Sequence, residues 1–386
     1  MVPAVSALLS LLALKLLDKE RRSHIDDFNC DEALGLFAGL NILPKKSFAT
    51  EYSYRTQRTH QQHLLSGWVK ALATLLFPTG SSFSLDFHSI PYRGDSSGLD
   101  NNYLAKRGKA GPSVLVLFAQ EHESRVLCYA NANLLRSDQA AEPLQFVEFW
   151  YQVTGTNPTW LYFDSKLVPY AQLSQLNQRG IFFITIRRRG TALLQSLNKV
   201  PSSQWTKTFI DIPKRRHQAV RYYEQRVRLS DYGGEIRQVA AMGLGREEPT
   251  LFVTNNDEIT ARELIIRYAQ RNRIEDGIGI GVNFFHLDCL ASEVRLNVDV
   301  DVALTVLANG CYRWLAQRLR GFDKAAPKQL FRRFVETAGL VEIEKDRIVV
   351  HFDKRSHVPI IREAALDSER LPIPWLQNKS LAFSFS

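Results

Sequence analysis

Apolar residues recur every three to four positions through much of the first 80 residues, the spacing that places them on one face of a helix. The period is clear in residues 33–40 and again in residues 63–76, with the loop Leu43-Pro44-Lys45-Lys46 between them. The apolar run in residues 2–17 has no basic stretch before it, which favours an amphipathic helix over a cleaved leader. We therefore predict a helical N-terminal region over residues 1–80.

Beyond residue 80 the pattern becomes that of strands. Three stretches, residues 83–89, 113–120 and 125–131, are predicted to form an antiparallel meander because their connections are short. A helix, a strand ending at Asp164, another helix and the continuous apolar run 181–186 follow. The order β-β-β-α-β-α-β predicts an α/β protein with an RNase H-like core, in which the first and fourth strands lie side by side.

Residues 194–256 again show alternation, in four short stretches separated by turn signals such as Tyr232-Gly233-Gly234. This pattern predicts a β-rich insertion that divides the core into two parts. A helix with Glu275 is expected after the insertion, and Gly277, Gly279 and Gly281 are expected to interrupt it. The predicted divisions are residues 1–80, 81–193, 194–256, 257–340 and a C-terminal tail, 341–386.

Positive charge is concentrated in residues 179–228. The whole chain of 386 residues carries +9, whereas this segment has twelve basic and two acidic residues, or +10. Trp205, Tyr222 and Tyr223 lie among these charges, so the segment suits a polyanion with stackable bases, although a solvated basic face remains an alternative. The predicted DNA-binding cations are Arg187, Arg188, Arg189, Lys214, Arg215 and Arg216.

Composition narrows the class further. A hydrophobic fraction of 45% is enough for a packed core, and the four cysteines are too scattered for a disulfide framework or a zinc site. No stretch reaches the roughly 18 uncharged apolar residues of a membrane span. These features predict a cytoplasmic protein without a membrane partner, associated with the nucleoid when bound to DNA.

Three acidic residues are the candidate metal ligands. Asp86 and Asp164 stand at the ends of apolar strands, and Glu275 stands on the later helix. In the first strand Asp86 alternates with apolar residues and so faces away from the apolar side. Three carboxylates brought together would raise one another's pKa unless a cation were bound, and oxygen ligands select Mg²⁺ or Mn²⁺. Each residue also has an ordinary interpretation, as a turn or cap aspartate or as a solvated glutamate.

The residues Tyr268, Arg271 and Glu275 form a Tyr-x2-Arg-x3-Glu pattern. With the two aspartates and the β-rich segment before it, the chain resembles the Asp-Asp-Glu transposases of bacterial insertion sequences. The resemblance implies that Asp86, Asp164 and Glu275 hold two Mg²⁺ or Mn²⁺ ions and catalyse DNA cleavage and strand transfer. It further implies that Tyr268 and Arg271 contact double-stranded DNA at transposon ends and target, and it leaves a homodimer on paired ends open.

Two departures from the family pattern keep other functions open. Val282 stands where the family has a lysine, and only about 80 residues precede the first aspartate. One alternative is a catalytically inactive or domesticated DNA-binding protein derived from a transposase. Another is a structure-selective nuclease on the same fold.

Overall fold

The structure is a computed structural model that describes residues 2–77, 81–94, 98–164, 168–212, 218–245, 247–289, 292 and 294–385. Its helices are α1 Ala4–Leu16, α2 Glu32–Phe37, α3 Lys46–Glu51, α4 Arg58–Leu76, α5 Glu142–Thr154, α6 Tyr170–Gln178, α7 Thr191–Asn198, α8 Ala261–Ala269, α9 Asn272–Asn283, α10 Arg295–Arg318, α11 Pro327–Leu330 and α12 Val358–Ala364. Its strands are β1 Ser82–Pro91, β2 Asn101–Leu104, β3 Lys109–Glu121, β4 Leu127–Asn131, β5 Trp160–Tyr162, β6 Phe182–Ile186, β7 Thr206–Phe209, β8 Ala219–Arg228, β9 Glu235–Met242, β10 Thr250–Thr254, β11 Gly339–Ile343, β12 Arg347–Phe352, β13 Pro372–Ile373 and β14 Lys379–Phe385. The α/β class is confirmed.

A large mixed sheet organises the molecule. Within the described residues it has ten strands in the order β2-β3-β1-β5-β6-β10-β9-β8-β7, with β4 pairing beside β3. The strand β1 lies antiparallel to β3 and parallel to β5, and β5 lies parallel to β6. The first and fourth predicted strands are therefore neighbours, as the sequence predicts, and the short β2 is an added element.

The four strands of residues 206–254 extend this same sheet. The strand β10 pairs antiparallel with β6, and β9, β8 and β7 continue outward from it. One face of the extension packs apolar side chains against Ile265 and Tyr268 of α8, whereas Leu197 of α7 packs with Leu251 on the other face. The basic segment, residues 179–228, therefore supplies β6, β7 and β8 of the sheet that also contains β1 and β5.

The N-terminal helices are held to the long helix α10 by buried ion pairs. Arg58 at the start of α4 donates to Asp299, and Arg22 forms a two-pronged pair with Asp301. Both aspartates lie on α10. A charge buried at such an interface needs a partner, so these pairs fix how the helical region sits against the sheet.

The C-terminal residues carry a second, smaller sheet in the order β11-β12-β14-β13. The strand β12 is antiparallel to β11 and parallel to β14. Helix α12 lies between them in sequence, and Ile361 from this helix packs in the cluster that also contains Tyr312 of α10. Within the described residues, no helix is long and apolar enough to cross a membrane.

The helix that carries Glu275 differs from the prediction in two ways. It is divided into α8 and α9 by a turn at Gln270 and Arg271, and α9 then runs through all three glycines to Asn283. Gly277 is needed for close packing, since a Cβ there would lie 2.3 Å from the Gln120 side-chain nitrogen. The expectation that the glycines interrupt the helix is therefore wrong, because one of them serves helix-to-strand contact.

Two alanine substitutions in α9 are expected to have opposite effects. Gly277→Ala should lower the free energy of unfolding by about 1–3 kcal/mol, because the buried Gln120 amide that donates to Arg125 O would be displaced. Gly279→Ala should raise it by about 0.5–1 kcal/mol, because nothing lies within 4 Å and alanine favours the helix. Urea unfolding of both variants measures the difference, and equal effects would show that the Gln120 contact is unimportant.

Candidate active site

The two aspartates are brought together by the parallel pairing of β1 and β5. Ser84 lies opposite Tyr162 in the register of these strands. Asp86 and Asp164 each stand two residues beyond this last pair, Asp86 within β1 and Asp164 just after the end of β5. Phe83 on the same strand packs 4.4 Å from Trp150 of α5, on the opposite face of the sheet from Asp86.

Arg271 occupies the centre of the candidate site. Its side chain is only 10% exposed, and it comes from the turn between α8 and α9. Its Nη2 atom donates to Glu275 Oε1 at 2.9 Å, and its Nη1 atom lies 3.6 Å from Asp86 Oδ2. The guanidinium therefore links an acid of the sheet to the acid of the helix.

The electrostatics of Asp86 are set by its burial, by Arg271 and by the two other candidate acids. Burial raises the pKa of Asp86 to about 6, Arg271 opposes the rise, and the charges of Glu275 and Asp164 add to it. The backbone N–H of Phe87 also donates to Asp86 Oδ1 at 3.0 Å and favours the ionised form. Asp86 is thus a partly desolvated carboxylate with two acidic neighbours and one cation.

Tyr268 forms the wall behind Arg271. Its ring packs edge-on against Phe252 of β10 with 5.3 Å between centroids, and the Arg271 guanidinium lies 5.8 Å from its centre. Burial raises the pKa of Tyr268, so its hydroxyl keeps its proton. Within the described residues, Arg271 Nε and Nη1 and the Tyr268 hydroxyl are buried without a hydrogen bond of good geometry. These donors could be satisfied by an anionic oxygen.

The three acids differ in accessibility. The side chain of Glu275 is 53% exposed, whereas that of Asp86 is 21% exposed. All three supply carboxylate oxygens, the ligands that Mg²⁺ and Mn²⁺ prefer, and Arg271 provides positive charge where a cation would stand. Nowhere in the described part of the chain do three His, Cys, Asp or Glu side chains come close enough together to hold a metal ion. The ligand type therefore suits such an ion, but the three carboxylates are not gathered into a metal site in the described structure, where Arg271 lies between Asp86 and Glu275.

A histidine not singled out by sequence fixes the turn that presents Arg271. His122 Nε2 lies 2.7 Å from Gln270 Oε1, and its ring packs 4.8 Å from the ring of Tyr162. Burial lowers the pKa of His122, so the neutral imidazole donates to Gln270, and its Nδ1 lies 3.4 Å from the Ser84 hydroxyl. No sequence pattern signals this contact, because it joins residues 148 positions apart.

His88, two residues after Asp86, contacts another acid. Its Nε2 atom lies 2.9 Å from Asp288 Oδ1, and Lys106 pairs with the other oxygen of Asp288 at 3.0 Å. This arrangement ties the second half of β1 to the short 3₁₀ helix Leu287–Cys289. It thereby steadies the strand that carries Asp86.

The predicted DNA-binding cations divide into three groups. Arg187 donates to Gln238 Oε1 at 2.8 Å inside the sheet, and Arg189 pairs with Glu248 at 2.9 Å. Arg188 is exposed and forms no ion pair within the described residues. Lys214, Arg215 and Arg216 lie outside the described residues. Of the three described arginines, Arg188 is therefore the one that is exposed and outside an ion pair.

Comparison with known proteins gives distant structural matches. No protein-family model and no curated protein matches the chain. A solved structure described as the cryo-EM structure of a piggyBac transposase synaptic complex with hairpin DNA aligns with a TM-score of 0.47 and 11% sequence identity. The alignment covers 85% of this chain and 69% of that chain. A likeness at this level carries no argument about function.

Proposed function

We propose that the protein is a DNA transposase with an RNase H-like core, which cleaves strands at transposon ends and transfers the freed 3′-hydroxyl into target DNA. The observation that carries the proposal is the position of the Arg271 guanidinium between Asp86 and Glu275, with Asp164 among the charges that act on both Asp86 and Arg271. The order β4-β3-β1-β5-β6, with parallel β1, β5 and β6, supports the core assignment.

Asp86, Asp164 and Glu275 are the residues that would hold two divalent cations. Such ions supply Lewis acidity to a phosphoryl group and lower the pKa of the attacking hydroxyl or water. The protein's own contribution is to hold three carboxylates on a rigid strand pair and a helix, with Asp86 partly shielded from water. Burial raises the pKa of Asp86 to about 6, and a bound cation would lower this pKa by favouring the ionised carboxylate.

Arg271 and Tyr268 are placed to contact the DNA phosphate. Both lie beside the acids, and the buried Arg271 Nε and Nη1 atoms and the Tyr268 hydroxyl have no hydrogen-bond partner among the described residues. With cations held by Asp86 and Glu275, the Arg271 guanidinium would be able to donate two parallel hydrogen bonds to phosphate oxygens. A homodimer on paired ends belongs to the same proposal, and light scattering with and without end DNA measures it.

The exposed Arg188 tests the DNA-binding face. Arg188→Gln should weaken DNA binding and reduce the slope of log Kd against log salt concentration by about 1, because one phosphate contact is lost. The matched control Arg187→Gln removes a cation already bonded to Gln238 and should leave the slope unchanged. Fluorescence anisotropy from 50 to 200 mM salt is the measurement. An unchanged slope for Arg188→Gln would remove this residue from the interface.

The activity is tested with duplexes that carry the DNA flanking the reading frame, incubated with protein and Mn²⁺. The proposal predicts nicks at fixed positions and joined products with a labelled target duplex. Cleavage at fixed ends without joining would point to a nuclease, and neither reaction from a folded protein would contradict the proposal. A chelator added before the ion should prevent both reactions.

One observation favours a catalytically silent DNA-binding descendant as the second candidate. Arg271 lies in ion pairs with both Asp86 and Glu275, an arrangement that an inactive protein could retain. The two candidates give different results in the same assay, because the silent protein would bind the flanking DNA without cutting it.

A further inference from the structure

A cavity of about 670 Å³ has none of Asp86, Asp164 and Glu275 in its lining. Its walls come from α1, the 3₁₀ helix Arg22–Phe28, the 3₁₀ helix Tyr52–Arg55, the chain just after β1 and the start of α10. The volume is in the range of about 300–1,000 Å³ that is usual for small-molecule sites. We call it the N-terminal cavity and describe it by Lys15, Arg22, Tyr54, Tyr92, Arg93 and Asp301.

Lys15 is the most unusual residue of this wall. It is 6% exposed, and the hydrogen bond of its ammonium goes to a neutral acceptor, Phe285 O, at 2.8 Å. Burial lowers the pKa of Lys15, although the charge of Asp301 opposes this effect. A buried ammonium has three donors, so a cavity-facing lysine with one carbonyl partner has capacity for an anion.

The neighbouring charges do not satisfy Lys15. Asp301 accepts from Arg22 Nε at 3.3 Å and Nη2 at 2.7 Å, and Arg22 Nη1 donates to Ser53 at 2.7 Å, so this pair is internally matched. Arg93 also lines the cavity, is exposed and forms no ion pair within the described residues. The other acids of the lining each lie in an ion pair: Glu20 with Arg21, Glu51 with Arg55 and Asp288 with Lys106. Lys15 and Arg93 therefore leave two positive charges toward the cavity, which match the two negative charges of a phosphate monoester.

Aromatic side chains accompany these cations. Tyr54 is 68% exposed, and Tyr92 also lines the cavity. An exposed tyrosine face suits a nucleobase, because base stacking on aromatic rings needs no particular base sequence. We infer that the N-terminal cavity binds a nucleoside monophosphate unit, with the phosphate monoester between Lys15 and Arg93 and the base against Tyr54. The unit could come from a free nucleotide or from the phosphorylated end of a DNA strand.

Titration calorimetry in buffer without divalent ions tests the inference, so its result is independent of the strand-cleavage activity. The probes are thymidine 5′-monophosphate, thymidine, inorganic phosphate and 5′-phosphorylated trithymidylate. We expect the monophosphate to bind at least about tenfold more tightly than thymidine or inorganic phosphate, about 1.4 kcal/mol. Tighter binding of the trithymidylate than of the mononucleotide identifies a strand end as the source, and equal binding identifies the free nucleotide.

Three variants locate the binding. Lys15→Met and Arg93→Gln should each weaken monophosphate binding about tenfold or more, and Tyr54→Ala should weaken it without changing the affinity for inorganic phosphate. The exposed Lys70→Met and Arg107→Gln are matched controls that should bind as the wild type does. Circular dichroism and Tm verify folding, and Arg93→Gln keeps the test valid should Lys15→Met unfold. The inference is overturned by inorganic phosphate binding as tightly as the nucleotide, by no binding of either nucleotide probe, or by variants that bind like the controls.

Discussion

Asp86→Asn is expected to reduce the rate of strand cleavage by about 10³-fold or more while DNA binding stays within a few-fold of the wild type. The asparagine keeps the size of the side chain and its hydrogen bond from Phe87 N–H, but removes the charge that a cation requires. The rate is measured by single-turnover cleavage of the flanking-DNA duplex with Mn²⁺ at saturating protein.

The matched control for this substitution is Asp276→Asn. Asp276 is exposed and follows Glu275 directly on α9, yet it is not among the charges that influence Asp86. The control should cleave at nearly the wild-type rate, whereas Glu275→Gln should fall with Asp86→Asn. Cleavage by Asp86→Asn at the rate of Asp276→Asn would remove Asp86 from the catalytic group.

The largest effect on stability is expected from Asp299→Asn. The Asp299 side chain is 1% exposed, pairs with Arg58 Nη1 at 2.5 Å and accepts from Ala132 N at 2.7 Å. Its loss would leave the Arg58 guanidinium buried without a counter-charge and should lower the free energy of unfolding by about 3–5 kcal/mol. Guanidinium chloride unfolding followed by fluorescence measures the change.

A comparable pair at the surface gives the control. Lys19 and Asp27 are 3.0 Å apart, but the Asp27 side chain is 51% exposed. Asp27→Asn should therefore change the free energy of unfolding by less than about 1 kcal/mol. A loss for Asp299→Asn no larger than this would mean that the ion pair does not hold α4 and α10 together.

The positions of the two aspartates follow from local pattern. Alternation in residues 83–89 and the apolar run before Asp164 predict strands, and the element order predicts that those strands are neighbours. The structure confirms that β1 and β5 are parallel neighbours, and the joint role of Asp86 and Asp164 stays a prediction. Local pattern is sufficient here because each strand is specified by its own residues.

The helix break before Glu275 could not be predicted in this way. It lies where His122 reaches Gln270 across 148 positions. The role of Gly277 likewise appears only when α9 is placed against Gln120 of β3. Glycine in a helix and glycine in a loop have the same local signal, and tertiary packing decides between them. The roles of Tyr268 and Arg271 toward DNA stay predictions, since both are defined by a ligand.

We propose that the carboxylates of Asp86, Asp164 and Glu275 act as one cation site. Electron paramagnetic resonance of Mn²⁺ titrated into the protein with its flanking-DNA duplex measures this most directly, with Asp164→Asn and Asp276→Asn in parallel. We predict that the wild type and Asp276→Asn bind two ions per chain and that Asp164→Asn loses this binding. Wild-type protein that binds no Mn²⁺, or Asp164→Asn that binds as much as the control, would contradict the claim.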